Sequence, residues 1–156
     1  MKPDTASLDF ERRLALPPAR LWEVLTDARH REQWGAPSEG TVLELVEADV
    51  REGGRDRHRC GPAEAPEFTV DTRWYRLDAP LLAVFTETVE IGGEAIFTSL
   101  VTYRLTPAGT ATVLGVTVAV SSFVGVDVAG DTRTGWEGGL ANLERYTSAL
   151  DREGTA

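Results

Sequence analysis

The sequence predicts an α+β fold: a curved antiparallel β-sheet of about seven strands wrapped around one long C-terminal α-helix, with two short helices after strand 1. Three observations carry that expectation. The alternating run "LDFERRLAL" near the start ends at paired prolines. The section from Thr41 to about Val120 has the texture of consecutive strands joined by short turns. The closing run from Thr134 to Leu150 repeats its apolar residues at helical spacing.

In the first run Leu8, Phe10, Arg12 and Leu14 oppose Asp9, Glu11, Arg13 and Ala15, the period of two that marks a strand. Pro17 and Pro18 stop it, because proline cannot donate to a sheet ladder and suits the first turn of a helix. "ARLWEVLTD" then places Leu21, Trp22 and Leu25 on one helical face, and "ARHREQW" forms a second short helix closing at Gly35 and Pro37. The β section reads as "TVLELVEADV", "GGRDRHRC", "EFTVDTRWYRL", "LLAVFTETVEI", "AIFTSLVTYRL" and "TATVLGVTVAV", separated by Gly-Gly, Gly-Pro, Asp-Ala-Pro, Gly-Gly and Pro-Ala-Gly turns. Short turns between consecutive strands mean antiparallel pairing. Phe97, Val101, Tyr103 and Leu105 share one face, with Thr98, Thr102 and Arg104 on the other. Leu114, Val116, Val118 and Val120 share a face with Thr112. Only the terminal helix is left to cover those apolar faces. Its stripe is Trp136, Leu140, Leu143 and Leu150, with Thr147 among them. Thr134 and Glu137 have capping-box spacing, and Asp131 is the alternative cap if the helix begins earlier.

At 156 residues, 42% of them apolar and 26% charged, the chain is read as one globular domain, residues 1–156 with a core over about 8–150. No apolar run approaches the ~20 residues of a membrane span, and no basic-then-apolar leader opens the sequence. A single cysteine, Cys60, excludes an internal disulfide and fits a reducing, cytoplasmic setting. A net charge of −9 argues against nucleic acid and against stable association with anionic membranes. The exception is "REGGRDRHR", whose Arg51, Arg55, Arg57 and Arg59 alternate in the manner of a solvated strand face, with an anion site as the alternative.

Gly138 and Gly139 stand side by side inside the last helix, where each glycine costs about 1 kcal/mol relative to alanine. Two missing side chains open the backbone to close approach, either by a bulky neighbour such as Phe97 or Tyr103 or by a ligand. The connection "SSFVGVDVAGD", with Phe123 and Val126 exposed, reads as a flap at a cavity mouth or as an ordinary loop. Asp56, His58 and Cys60 alternate on one strand and so share a face at about 6.5–7 Å spacing. They are a solvent-facing polar edge, a set of polar pocket contacts, or the start of acid–base chemistry in which Asp56 orients His58. Adjacent same-face positions on one strand converge poorly on a metal, so no metal site is expected. His30 is assigned to the surface. Glu87 and Glu90, three apart, face opposite sides, with an outward glutamate as the default. No phosphate-binding glycine loop is present, and Ser121 and Ser122 lack nucleophile-elbow spacing.

Taken in order, "LALPPARLWEVLTDARHREQW", "GGR" at Gly53–Arg55, "LDAP" before "LLAVFTE", "YRLTPAGTATVLGV" and the closing "GWEGGLANLERY" resemble the START-like superfamily (SRPBCC, or Bet v1-like, helix-grip proteins). Within it they resemble the activator of Hsp90 ATPase (AHSA1-like) family, from about Leu8 to Leu150. The resemblance implies a hydrophobic small molecule, a lipid, acyl or aromatic compound, held between sheet and helix. The residues it would touch are Trp34, His58, Trp74, Tyr75, Phe85, Phe97, Val101, Tyr103, Leu114, Val116, Phe123, Trp136, Gly139, Leu140 and Leu143. No cofactor is implied, and a homodimer stays open. A cyclase/aromatase or hydrolase-type enzyme, with His58 and Asp56 as its catalytic candidates, is the first alternative. A chaperone or stress-response interaction module is the second. Two departures stand out. The eukaryotic cochaperones carry an N-terminal domain not seen here, so direct Hsp90 binding is not expected. Asp56, His58 and Cys60 also occupy positions where relatives often have apolar residues.

Overall fold

The computed structural model describes residues 4–125 and 127–154. Seven strands run β1 (Thr5–Leu14), β2 (Thr41–Glu47), β3 (Arg55–Pro62), β4 (Phe68–Asp78), β5 (Leu82–Ile91), β6 (Glu94–Ala108) and β7 (Ala111–Ser122). Helices α1 (Pro18–Thr26) and α2 (Ala28–Trp34) follow β1, and α3 (Val128–Gly154) closes the chain. The sheet is antiparallel throughout, in the order β1-β7-β6-β5-β4-β3-β2. It is the curved sheet around a long helix that the sequence predicts, a helix-grip fold.

Local chemistry explains the boundaries. Pro18 opens α1, and Asp27 ends it while capping α2 by accepting a hydrogen bond from the Arg29 N–H at 2.8 Å. Gly35 closes α2. The last helix starts earlier than Thr134: Asp127 accepts from the Ala129 N–H, so Asp127 caps it and neither Thr134 nor Asp131 does. Val126, expected to be exposed in the preceding connection, lies outside the described residues.

The stripe expected on α3 is its buried face. Leu140, Leu143 and Thr147 are enclosed, and Trp136 and Leu150 are partly so. Thr147 tolerates that place by donating its hydroxyl to the Leu143 carbonyl at 2.8 Å. Under β1, β5, β6 and β7 the interior is packed solid. There a chain of aromatic contacts runs Trp74–Phe85–Tyr103–Trp136–Phe10 at ring separations of 4.9, 5.0, 6.3 and 6.4 Å. His30 is not free on the surface: its Nδ1 meets the Tyr146 hydroxyl at 2.6 Å and ties α2 to α3. No helix among the described residues is long and apolar enough to cross a membrane.

Candidate functional site

The other half of the grip is hollow. A cavity of about 540 Å³ lies between α3, α2 and the inner face of β2–β6. Its walls are mostly apolar: Trp34, Leu43, Phe68, Val70, Val89, Ile96, Phe97, Val124, Val128 and Trp136, with Gly139 above. A space of this size suits a small organic molecule.

The paired glycines divide the two roles considered for them. A Cβ on Gly138 would stand 2.3 Å from the Pro37 carbonyl oxygen, so this residue exists for close packing against backbone. A Cβ on Gly139 would meet only the Trp34 carbonyl oxygen at 4.0 Å, and its open side is cavity. One turn on, the Asn142 side-chain amide donates to the carbonyls of Trp34 and Ala36 at 3.1 and 3.0 Å. That clamp satisfies carbonyl groups that the end of α2 leaves open.

Strand register builds the floor. Asp56 pairs with Thr72, Thr72 with Glu87, and Glu87 with Ser99, so one polar row crosses β3, β4, β5 and β6. Two residues along, the row Val70–Val89–Phe97 lines the cavity. On the other side, Trp74–Phe85–Val101 belongs to the packed core. Arg31 of α2 lies over the polar row. Its Nη1 donates to Thr72 Oγ1 at 3.2 Å, its Nη2 is paired with Glu87 Oε2, and its guanidinium carbon stands 5.9 Å from the Phe85 ring centre. Both side chains of the pair are almost enclosed, at 10% and 12% exposure. Burial alone would weaken the charge on Arg31, but the adjacent Glu87 carboxylate outweighs it and holds the guanidinium above its ordinary range.

Asp56, His58 and Cys60 do share the inner face, which excludes the solvent-edge reading. They do not form an acid–base pair. Asp56 accepts the Asp49 backbone N–H at 2.8 Å, which anchors the β2–β3 connection. Its carboxyl is pushed up by burial, against the opposing pull of that N–H and of the Trp74 indole. His58 is fully enclosed, and neither ring nitrogen has a hydrogen-bond partner of good geometry among the described residues. Burial, and then the charge of Arg31, lower its pKa to about 4, so it is neutral near pH 7. Cys60 reaches the cavity wall, its thiol held protonated by burial and by Glu87. Among the described residues no three His, Cys, Asp or Glu side chains converge on a metal-sized site.

Of the residues expected to touch a ligand, Trp34, Phe97, Trp136 and Gly139 line the cavity. Trp74, Phe85, Val101, Tyr103, Leu114, Val116, Leu140 and Leu143 instead pack against one another in the solid half, and His58 is sealed behind the wall. Tyr75 points outward at 55% exposure, since its neighbour Trp74 takes the inward position. Phe123 is 52% exposed beside the cavity-lining Val124. The outward default for Glu87 is corrected. Its i±2 neighbours Phe85 and Val89 both face inward, and alternation carries Glu87 with them. Arg31 was missed too, although it lies three residues from both Ala28 and Trp34, the other buried residues of α2. Arg55 and Arg59 are exposed on the outer face of β3, Arg55 paired to Asp71 at 2.6 Å, whereas Arg57 is half-buried and its Nε is enclosed rather than solvated.

The family described as activator of Hsp90 ATPase homolog 1-like protein matches residues 15–148. The chain belongs to that family. An AHSA1-like protein of this fold is a general ligand-binding or interaction module. Among solved structures, protein Mll3558 from Rhizobium loti is 27% identical, with a TM-score of 0.81 over 94% of this chain and 99% of its own. An uncharacterised protein from Rhizobium leguminosarum is 23% identical, with a TM-score of 0.83 over 95% of this chain and 97% of its own. An AHSA1 protein from Silicibacter pomeroyi is 20% identical, with a TM-score of 0.73 over 93% of this chain and 99% of its own. No curated protein matches the sequence significantly.

Proposed function

We propose that this AHSA1-like protein binds an apolar small molecule, a lipid, acyl or aromatic compound, in the cavity beneath α3, and holds it without transforming it. One observation carries the reading: a cavity of about 540 Å³ with mostly apolar walls, roofed at Gly139 by a helix position where a side chain would fit. A helix selected for packing alone would place alanine or leucine there and gain stability. Enclosing an apolar molecule gives about 25 cal/mol per Å² buried, before the costs of association.

An enzymatic reading finds less support, because Asp56 is committed to the Asp49 N–H and His58 lies off the cavity. The surface-module reading requires a filled interior, which the cavity opposes. Direct Hsp90 binding is no part of the proposal.

The test uses protein purified without detergent, denatured, and extracted for mass spectrometry. Wild type is expected to release an apolar compound or to take one up when supplied. Gly139→Leu should fold, with an unfolding temperature at or above wild type, and carry none, its side chain occupying the space. A folded Gly139→Leu protein that still retains the compound overturns the proposal, as does a wild type that neither carries nor binds any apolar molecule.

A further inference from the structure

The charged pair on the cavity floor is satisfied unequally. Arg31 directs one terminal nitrogen to Thr72 and the other to Glu87 Oε2, and its Nε is enclosed by protein without a hydrogen-bond partner among the described residues. Glu87 lines the cavity, and its second oxygen, Oε1, accepts no hydrogen bond among the described residues. Ser99 faces Glu87 directly across the β5–β6 register and also lines the cavity, its hydroxyl likewise without a hydrogen bond among the described residues. At the entrance α3 contributes a second carboxylate, Asp131. Glu87 and Asp131 thus turn carboxylate acceptors toward the cavity, while both terminal nitrogens of Arg31, which also lines it, are engaged.

A carboxylate oxygen in poorly hydrated surroundings accepts strongly, so a group seated against it must bring a hydrogen. An acceptor-only group would set lone pair against lone pair. An anion would face both Glu87 and Asp131, and although Arg31 also lines the cavity, an anion pairing with it would compete with Glu87 for a terminal nitrogen already engaged and leave the Glu87 charge less well compensated in the interior. On the binding reading above, we propose that the guest is an uncharged apolar molecule with a hydroxyl group, an alcohol or phenol, which donates to Glu87 Oε1 with Ser99 as its second partner. Fatty and aromatic carboxylates are thereby rejected. This narrows the ligand class from any lipid, acyl or aromatic compound to hydroxylated neutral ones.

Three probes of one ring system separate these effects: 2-naphthol, 2-methoxynaphthalene and 2-naphthoate, titrated calorimetrically into the full chain at pH 7. The naphthol is expected to bind at least about tenfold tighter than either of the others, the effect of one well-placed hydrogen bond to a charged acceptor. Glu87→Gln keeps one oxygen for Arg31 and turns an NH2 donor toward the cavity in place of Oε1, so it should shrink the gap between naphthol and methoxynaphthalene to less than about threefold. Naphthoate or methoxynaphthalene binding wild type as tightly as naphthol overturns the inference and leaves the cavity reading intact. Binding by none of the three overturns both. The wild-type comparison decides the question even where Glu87→Gln weakens the fold.

Discussion

Gly138 and Gly139 are chemically identical neighbours on one helix, yet their surroundings assign them opposite mutational signs. Replacing a helix-interior glycine by alanine normally stabilises by about 1 kcal/mol, because alanine has fewer unfolded conformations to lose. At Gly139 that gain should appear nearly whole, since the new methyl group meets one atom at ordinary contact distance. At Gly138 the methyl group would stand 2.3 Å from the Pro37 carbonyl oxygen, which is backbone and cannot rotate away. Gly138→Ala should therefore destabilise by about 1–3 kcal/mol, the usual range for overpacking. Urea unfolding of the two variants checks this: Gly139→Ala shifts the midpoint up and Gly138→Ala shifts it down. The same sign for both would mean that α3 does not lie against Pro37 as described. The sequence made the pair conspicuous but could not divide its roles, because the deciding neighbour lies about a hundred residues away on another element.

Between elements, the hollow half of the grip depends on α3 being held off the sheet and on to α2. Asn142 does much of this through its two hydrogen bonds to the Trp34 and Ala36 carbonyls, with His30 and Tyr146 clasping the helices one turn on. Asn142→Ala removes both donors at once and should cost about 1–3 kcal/mol. It should also raise amide exchange selectively at the end of α2 and across the facing turn of α3, leaving β6 and β7 protected. Uniform loss of protection would show that the clamp has no local role. Asn142 carried no sequence signal, because a polar residue beside Leu143 reads as the solvent side of an amphipathic helix. The apolar stripe and all seven strands, by contrast, were legible, since period and turn chemistry are local properties. Glu87 and Arg31 were legible in principle. Phe85 and Val89 flank the first at strand spacing, and Ala28 and Trp34 flank the second at helical spacing. Periodicity identifies such faces even when the residue itself is charged, and only the default that charges lie outside hid the polar row.

Across the whole molecule, the titratable groups buried on the inner face of β3 tie stability to pH. The unfolded chain binds a proton on His58 near pH 6.5, whereas the folded protein resists it until about pH 4. Between those values the unfolded state holds more protons, so stability must fall as pH falls, and the loss levels off below the folded value. Asp56 acts with the opposite sign. Its folded pKa is raised by burial, so its carboxyl keeps a proton that the unfolded chain has released, and it costs stability as pH rises through that raised value. The Arg31 charge near His58 strengthens the histidine effect, since protonation would set two cations together beside Thr72 and Glu87. Wild type should therefore lose roughly 2–3 kcal/mol between pH 7 and pH 4.5 through His58. His58→Phe fills the same enclosed site without a titrating group, and its urea midpoint should fall much less over that interval. Equal losses in the two proteins would remove His58 as the cause. The remaining slope would then belong to titrating groups other than this histidine.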